Sequence, residues 1–319
     1  MKSRIAAQFA VAAAMILVGA GCTSSSSVPS GGAPSLTHVS VGVLPIIDNA
    51  PVFIALQRGL FHQQGLDVTP VVLPSGELAT EELLSGKLQF AFSNYVTTIQ
   101  AASQGAKLQV VADGAETLPN TNVIMIAKGS AIHHVQDLRG KTIAVNARGN
   151  IGSLMIDSAL ETYGVPVNSV RFTVIPFPQM AAALGDHSVD AAWMAEPFVT
   201  ESGEQIGAEE LADTTAGAMA DFPIAGYDAL RGFAQQHPAT VAAFQRAIVQ
   251  AQALAADRSV VEKALPTYID GMTPPVISAV HLDSYPTSLS QARLQRVANT
   301  MLLAGMLRQS FSVNQLLAP

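Results

Sequence analysis

The feature that most constrains the fold is a repeated alternation of short apolar runs with amphipathic stretches between residues 38 and 193. Apolar runs of about four to eight residues are typical of buried strands, and longer amphipathic stretches between them are typical of helices. The alternation runs from Val39–Leu44 to Val123–Ala127 and begins again at Thr142–Asn146. It predicts an α/β fold in which a mostly parallel sheet carries helices on both faces.

Turn and capping residues place the individual elements. The predicted strands are Val39–Leu44, Val68–Leu73, Leu88–Phe92, Val110–Ala112, Val123–Ala127, Thr142–Asn146, Val170–Ile175 and Val189–Trp193. The predicted helices are Pro51–Gln64, Glu77–Ser85, Tyr95–Gln104, Gly152–Tyr163, Pro176–Asp186, Pro238–Ala256, Ser259–Ile269, Pro274–Leu282 and Ser290–Gln309. Glycine ends several of the helices, and proline opens several others. After Phe222 the pattern predicts helices and no strand.

Residues 83–92 and 183–193 share one pattern, a helix end followed by a turn and a strand. The first copy lies in the first series of alternating strands and helices, and the second copy lies in the second series. This repeated pattern, the sequence echo, therefore indicates two similar α/β lobes. The alternative reading, that any helix–turn–strand unit looks like this, stays open at this point.

The first 21 residues have the organisation of a secretory signal peptide. Lys2 and Arg4 precede the apolar stretch Ile5–Val18, and small residues follow at 19–21. Cleavage there makes Cys22 the first mature residue, which resembles a bacterial lipoprotein and predicts a lipid anchor on Cys22. The alternative is an ordinary signal peptide with an incidental cysteine. Residues 22–35 are small, polar and uncharged, and we expect a flexible lipid-anchored tether.

Composition excludes several functional classes. Hydrophobic residues make up 49% of the chain, which is too many for intrinsic disorder. The formal net charge is −7 and no basic cluster is present, so nucleic acid is not an expected partner. A single cysteine cannot form an internal disulfide, a cysteine-based zinc site or a CxxC redox centre.

Signatures of catalysis are also missing from the sequence. There is no GxSxG motif, and the histidines lack a metal-ligand spacing such as HExxH. We therefore expect no enzyme activity, no catalytic residues, no metal and no cofactor.

Four turns at predicted strand ends are candidates for a ligand site. They span residues 44–51, 74–77, 93–95 and 146–153 and carry small hydroxyl, amide or glycine residues. Ligands of open α/β sheets bind at the carboxyl ends of strands, although the same residues are ordinary in turns and caps. Arg148 is the only cationic side chain in these turns and is the candidate for pairing an anion. Trp193, the only tryptophan, either stacks on a ligand or packs in a hinge.

Several segments together resemble a known family. They are Gly42–Ala55, Gly59–Phe61, Gly65–Val68, Asp137–Val145 and Val189–Phe198. They resemble ABC-transporter substrate-binding proteins of the nitrate/sulfonate/taurine and thiamine-pyrimidine-precursor type, over residues 38 to about 310. The eukaryotic thiamine-pyrimidine synthases of the same superfamily carry a cysteine-rich motif that this sequence lacks.

This resemblance implies a two-lobed type II periplasmic-binding-protein fold with a hinge and an interdomain cleft. Lobe 1 would comprise residues 36–122 plus 224–319, and lobe 2 residues 123–223, joined by crossing strands near 120–125 and 220–225. His187 would stand where the family's glycine lies, since histidine tolerates a left-handed backbone better than most residues. The ligand-binding residues implied by the family are Asp48, Asn49, Ser75, Gly76, Ser93, Asn94, Asn146, Gly149, Gly152, Ser153 and Glu196, beside the candidates Arg148 and Trp193.

The implied function is the extracytoplasmic solute-binding component of an ABC importer, anchored to the outer face of the cell membrane. The partners would be a small solute and a membrane permease, and the protein would be a monomer. An anionic ligand such as a sulfonate, nitrate or taurine would depend on Arg148. A flat heterocycle would depend on Trp193, Tyr95 or Tyr227. The alternatives are an exported ligand-sensing lipoprotein and an enzyme on the same scaffold.

Overall fold

The predicted alternation of strands and helices is present in the computed structural model of the protein, which describes residues 36–318. The predicted signal peptide, the tether and the lipidation site at Cys22 lie outside the described residues. The strands are β1 Thr37–Val43, β2 Leu66–Val72, β3 Phe90–Asn94, β4 Leu108–Glu116, β5 Asn122–Ile126, β6 Thr142–Val145, β7 Arg171–Val174, β8 Ala191–Ala195, β9 Glu209–Asp213 and β10 Pro223–Leu230.

The helices lie mostly where capping residues predict them. They are α1 Ala50–Gln57, α2 Leu60–Gln63, α3 Gly76–Leu84, α4 Tyr95–Ser103, α5 Ile151–Thr162, α6 Phe177–Gly185, α7 Phe198–Ile206, α8 Arg231–Gln236, α9 Pro238–Ala255, α10 Arg258–Ala264, α11 Pro274–Ala279 and α12 Gln291–Leu303. One predicted helix, Pro51–Gln64, is two helices instead. Gly59 adopts a left-handed conformation with φ 64° and separates α1 from α2, because glycine takes positive φ without a steric penalty.

The strands form two five-stranded sheets with the same layout, in the orders β2-β1-β3-β10-β4 and β7-β6-β8-β5-β9. In each sheet the first three strands are parallel, and the fourth runs antiparallel to both of its neighbours. Both sheets are therefore mixed rather than mostly parallel. The shared order places β3 and β8, the strands of the sequence echo, at the centre of their sheets.

The turns of the echo also match. Gly86 follows α3 with φ 81°, and His187 stands at the same place after α6 with φ 59°. The prediction that His187 takes over a left-handed glycine position is confirmed.

Two strands were not predicted, and the expectation of no strand after Phe222 is wrong. Strand β10 contains proline, glycine and the acidic residue Asp228, so it lacks the continuous apolar run of a buried strand. Asp228 is fully buried there and accepts a hydrogen bond of 2.5 Å from the Thr98 hydroxyl. Strand β9 has the sequence Glu-Glu-Leu-Ala-Asp at a sheet edge, where charged residues meet solvent.

The chain passes between the two sheets at residues 117–121 and again at 214–222, close to the crossings that the resemblance implies. The remaining helices then return to the first sheet, where the Phe244 ring of α9 stacks on Phe90 with centroids 4.0 Å apart. The division into two lobes at residues 122 and 224 stays a prediction. Among residues 36–318, no helix combines the length and apolar composition needed to span a membrane.

The close packing around β10 gives a test of this topology. A Cβ on Gly226 would lie 2.8 Å from the Ala112 carbonyl oxygen and would also collide with the Tyr95 hydroxyl. We expect Gly226→Ala to lower the free energy of unfolding by about 1–3 kcal/mol, because a packed core resists added volume. Chemical denaturation measures this loss.

The matched control is Gly232→Ala in α8, where a Cβ meets no atom within 4 Å. That variant should keep or slightly raise stability, since alanine favours helix over glycine by about 1 kcal/mol. Equal effects of the two substitutions would contradict the placement of β10.

Candidate functional site

A small cavity lies where the carboxyl ends of strands from both sheets face one another. Its lining residues are Leu44, Ile46, Asp48, Gly76, Phe92, Asn94, Asn122, Asn146, Asn150, Ile151, Phe177, Trp193, Ala195, Ile224 and Ala225. The cavity volume is about 30 Å³, two to three times what one ordered water requires. A ligand of more than a few atoms therefore needs the walls to move apart.

Helices α3, α4, α5 and α6 begin at this cavity, and a capping side chain fixes the start of the first three. The Ser75 hydroxyl accepts from the Leu78 N–H before α3, and the Asn94 amide oxygen accepts from the Thr97 N–H before α4. The Asn150 amide oxygen accepts from two backbone N–H groups at the start of α5. Because an N-cap residue adopts an extended backbone just before its helix, these side chains sit at the strand-to-helix turns that face the cavity.

Five of the predicted site residues line the cavity. They are Asp48, Gly76, Asn94, Asn146 and Trp193. They come from both sheets, so the residues that the resemblance implies do converge from distant parts of the chain.

The other predicted residues lie outside the lining set, and several of them support it. They are Asn49, Ser75, Ser93, Arg148, Gly149, Gly152, Ser153 and Glu196. The Ser93 hydroxyl accepts from Thr80 and donates to the Gly76 carbonyl, which fixes the α3 turn. The Ser153 hydroxyl accepts from the Gly149 N–H and closes the turn before α5.

Arg148 does not reach the cavity. Its side chain is exposed, and its guanidinium donates to the Phe172 carbonyl on the neighbouring strand β7. An anion in the cavity would receive no contact from it in this conformation.

Glu196 is fully buried and joins the second sheet to the segment after α11. Its carboxylate accepts from the Thr200 N–H and hydroxyl and from the His281 N–H, the last at 3.0 Å. The His281 ring lies 3.1 Å away, and its hydrogen bond to the carboxylate raises the His281 pKa. Glu196 therefore acts as a structural tie and does not line the cavity.

Trp193 contributes one wall and is held on several sides. Its indole N–H donates to the Thr214 hydroxyl at 3.0 Å, and its ring packs 6.0 Å from that of Phe177. A Cβ on Gly152 would lie 2.6 Å from the indole, so only glycine lets α5 approach this closely. The two readings of Trp193, ligand contact and packing, are therefore both compatible with its position.

Sequence reasoning missed ten lining residues. They are Leu44, Ile46, Phe92, Asn122, Asn150, Ile151, Phe177, Ala195, Ile224 and Ala225. Asn150 stood inside a turn already singled out, and its place before an apolar helix was a capping signal. Asn122 and Phe177 have no local signal, because they reach the cavity only through the pairing of the second sheet.

The Asp48 carboxyl faces an unusual environment. Its charge interacts with that of a second buried acid, Asp283, and burial raises the pKa of Asp48 to about 6. Burial and the neighbouring Asp48 charge hold the pKa of Asp283 well above its usual range. Two carboxyls in such contact hold one proton between them, since both cannot be ionised at low cost.

The chain is similar in sequence and in fold to known proteins. The sequence signature of the family described as NMT1/THI5 like matches residues 46–259. A putative ABC transporter periplasmic binding protein of Brachyspira hyodysenteriae is 29% identical over 191 residues, which cover 56% of this chain and 54% of that protein. The chain thus spans about half the length of this curated relative.

Two further relatives differ in their named activity, since one is a synthase and the other is a binding protein. The yeast (Saccharomyces cerevisiae) 4-amino-5-hydroxymethyl-2-methylpyrimidine phosphate synthase THI5 is 32% identical over 116 residues, covering 36% of this chain and 33% of the yeast protein. The solved periplasmic aliphatic sulphonate binding protein SsuA of Escherichia coli superposes with a TM-score of 0.70 at 21% identity. The superposition covers 89% of this chain and 98% of SsuA, so the two share a fold.

The buried acids predict how stability depends on pH. Burial raises the pKa of Asp48 and Asp157 to about 6 and that of Asp228 and Glu201 to about 7. A raised folded-state pKa means that the folded chain binds protons more tightly than the unfolded chain. Stability from these groups is therefore present below the unfolded pKa and is lost as pH rises through the folded pKa. We expect the ligand-free protein to melt at a lower temperature near pH 8 than near pH 5, as measured by circular dichroism.

Asp48→Asn should reduce this fall and raise the melting temperature near pH 8, because the amide carries no buried charge. Asp67→Asn is the control, since Asp67 is an exposed acid. Parallel melting profiles for Asp48→Asn and the unaltered chain would contradict the assignment.

Proposed function

Because the chain belongs to the NMT1/THI5-like family, we propose that it is the solute-binding component of an ABC importer, which captures a small solute between two lobes. The observation that carries this proposal is the cavity, which is small and is lined by residues of both sheets. Binding proteins enclose a small ligand in this way, with many apolar contacts and a few well-placed polar groups.

The lining side chains favour binding over chemistry. They supply one carboxyl, four amides, three aromatic rings and aliphatic groups. These groups hydrogen-bond and pack, and Asp48 is the one titratable side chain in the lining set. We propose that the bound solute leaves unchanged, which separates this chain from its yeast synthase relative.

The lobes of this proposal are residues 36–122 plus 224–319 and residues 123–223. The crossing segments 117–121 and 214–222 would form the hinge, because they join the sheets and precede β5 and β10. The predicted binding residues that lie outside the closed lining, Ser93 and Ser153 among them, would hold the turns that close on the ligand.

We also propose that the protein is located at the cell surface. The predicted signal peptide and Cys22 would deliver a monomer to the outer face of the cell membrane, held by lipid and a tether of about 20 Å reach. A permease in the same membrane would accept the solute. A radiolabelled lipid precursor incorporated by the full chain and lost in Cys22→Ala tests the anchor.

Binding without turnover is the first test. Residues 36–319, free of ligand, would be screened by thermal shift against sulfonates, nitrate, taurine, amines and nitrogen heterocycles. A true ligand at 100 times its dissociation constant stabilises by about 2.7 kcal/mol. We expect one chemical class to bind with one-to-one stoichiometry and to be recovered unchanged by mass spectrometry.

Asn146→Ala should weaken that binding, because Asn146 lines the cavity, whereas Asn168→Ala should not, because Asn168 is exposed. Conversion of the bound compound would overturn the proposal in favour of an enzyme. Binding without any loss of uptake in a deletion strain would favour a sensing lipoprotein.

One hydrogen bond across the cleft gives a test of closure. The Gln100 side-chain amide of α4 donates at 2.9 Å to the Gly149 carbonyl, in the turn before α5. We expect Gln100→Ala to favour an open form with a larger radius of gyration in X-ray scattering. Its affinity for the solute should fall up to about tenfold, since a net hydrogen bond is worth about 1 kcal/mol. Gln104→Ala, at the exposed end of α4, is the control and should stay closed.

A further inference from the structure

The acid that faces the cavity has no cation beside it. Asp48 follows β1 in a short helical turn, lines the cavity and is 4% exposed. The titratable side chain that interacts with it is another carboxyl, Asp283, itself 6% exposed. One oxygen of Asp283 is fully buried and has no hydrogen-bond partner among the described residues. The pair is therefore a negative site without a counter-charge.

The neighbouring polar groups do not neutralise it. The Tyr268 and Tyr285 hydroxyls donate to the Ile46 and Ile47 carbonyls, on the turn that carries Asp48. These hydrogen bonds hold the backbone in place. The two hydroxyl protons are donated to the carbonyls and not to the acid pair. The Asp48 carboxyl is thus held in place at the cavity wall with acceptor capacity left over.

The rest of the lining set reinforces this charge pattern. It contains no lysine, arginine or histidine, and Arg148, the predicted anion partner, is bound to the Phe172 carbonyl instead. An anion in this cavity would face a carboxyl in a medium of low dielectric, where like charges repel strongly. A cation would meet its counter-ion there.

The apolar part of the cavity wall further restricts the chemical class of the ligand. Phe92, Phe177 and Trp193 line the cavity, and aromatic faces attract both flat rings and cations. The amides of Asn122 and Asn146 can accept or donate at the ligand's edge.

We propose that the solute is a small nitrogen base bound as a cation, with its protonated N–H group facing the Asp48–Asp283 pair and its body against the aromatic wall. This inference rests on the proposed solute-binding function. It assigns a ligand of opposite charge to the sulfonates bound by the structural relative SsuA.

A cation bound at the pair should prefer higher pH. The titratable groups that face the pair are Tyr227, Tyr268, Tyr285 and, on the Asp283 side, Glu196. The tyrosines have pKa values raised above their usual range by burial, so they stay neutral and do not compete for charge. Raising the pH from about 5 to about 8 therefore ionises Asp48, whose pKa burial raises to about 6, and strengthens the site for a cation.

The experiment compares ligands of one shape and three charges on the ligand-free protein. Benzamidinium, benzamide and benzoate form one series, and acetamidinium, acetamide and acetate form a smaller one. A wider panel of small guanidinium and 4-aminopyridinium compounds, which stay protonated near pH 8, would be screened by thermal shift at millimolar concentration. The compounds that bind would then be measured by calorimetry. We expect members of the cationic set to bind, each more tightly than its neutral or anionic counterpart, and more tightly near pH 8 than near pH 5.

Asp48→Asn keeps the shape of the side chain and removes its charge. We expect it to weaken cation binding at least about tenfold, as for loss of a charged hydrogen-bond partner, and to leave neutral compounds within about twofold. Asp67 is an exposed acid, so Asp67→Asn should change neither the binding of cations nor the binding of neutral compounds. The folded state of Asp48→Asn is checked by its melting temperature, which the buried-charge argument expects to rise.

The outcomes separate the two proposals. Preferential binding of sulfonates, nitrate or benzoate would overturn the cationic ligand and leave the solute-binding function standing. A cationic set that produces no shift, or that binds Asp48→Asn as well as the unaltered chain, would also overturn it. Absence of binding by every class would count against both proposals, whereas conversion of a bound cation would overturn only the transport function.

Discussion

The structure depends on two strands that complete sheets begun elsewhere in the chain. Strand β10 inserts between β3 and β4 although it follows the whole second sheet, and β5 inserts between β8 and β9. Each insertion forces the chain to cross between the sheets, and two crossings hold the carboxyl ends of both sets of parallel strands face to face. The cavity lies at this junction because loops and helix starts from both sheets meet there.

Local periodicity was sufficient for the parallel strands, for β4 and for the inserted strand β5. It was insufficient for helix α7, the edge strand β9 and the inserted strand β10. The family resemblance placed His187 near a glycine position, and His187 and Gly86 both follow a helix in a left-handed conformation. Strand β10 was not predicted because it is held by strand partners on both sides and by a hydrogen bond from the Thr98 hydroxyl to one carboxylate oxygen of the buried Asp228. Such long-range pairing leaves no alternation of apolar residues in the strand itself.

The site shows the same division between local and long-range information. Asp48, Gly76, Asn94 and Asn146 stand in turns whose residues already indicated a cleft, and all four line the cavity. Arg148 lies in such a turn too, yet its side chain is directed to the Phe172 carbonyl, a choice that depends on the neighbouring strand. Asp283 could not be found at all from the sequence, since its importance comes only from its contact with Asp48 across the fold.

The acid pair also connects the cavity to the crossing segments. Ser284, next to Asp283, pairs with Glu116 at the end of β4, before the first crossing. The Thr121 carbonyl in turn accepts from the Glu196 N–H, and the Glu196 carboxylate holds His281. A charge placed beside Asp48 therefore acts on residues that also join the two sheets. Uncompensated burial of the pair destabilises the empty protein, and a ligand that neutralises it removes that cost only where the walls enclose it. Binding free energy and closure would then arise from the same carboxyls.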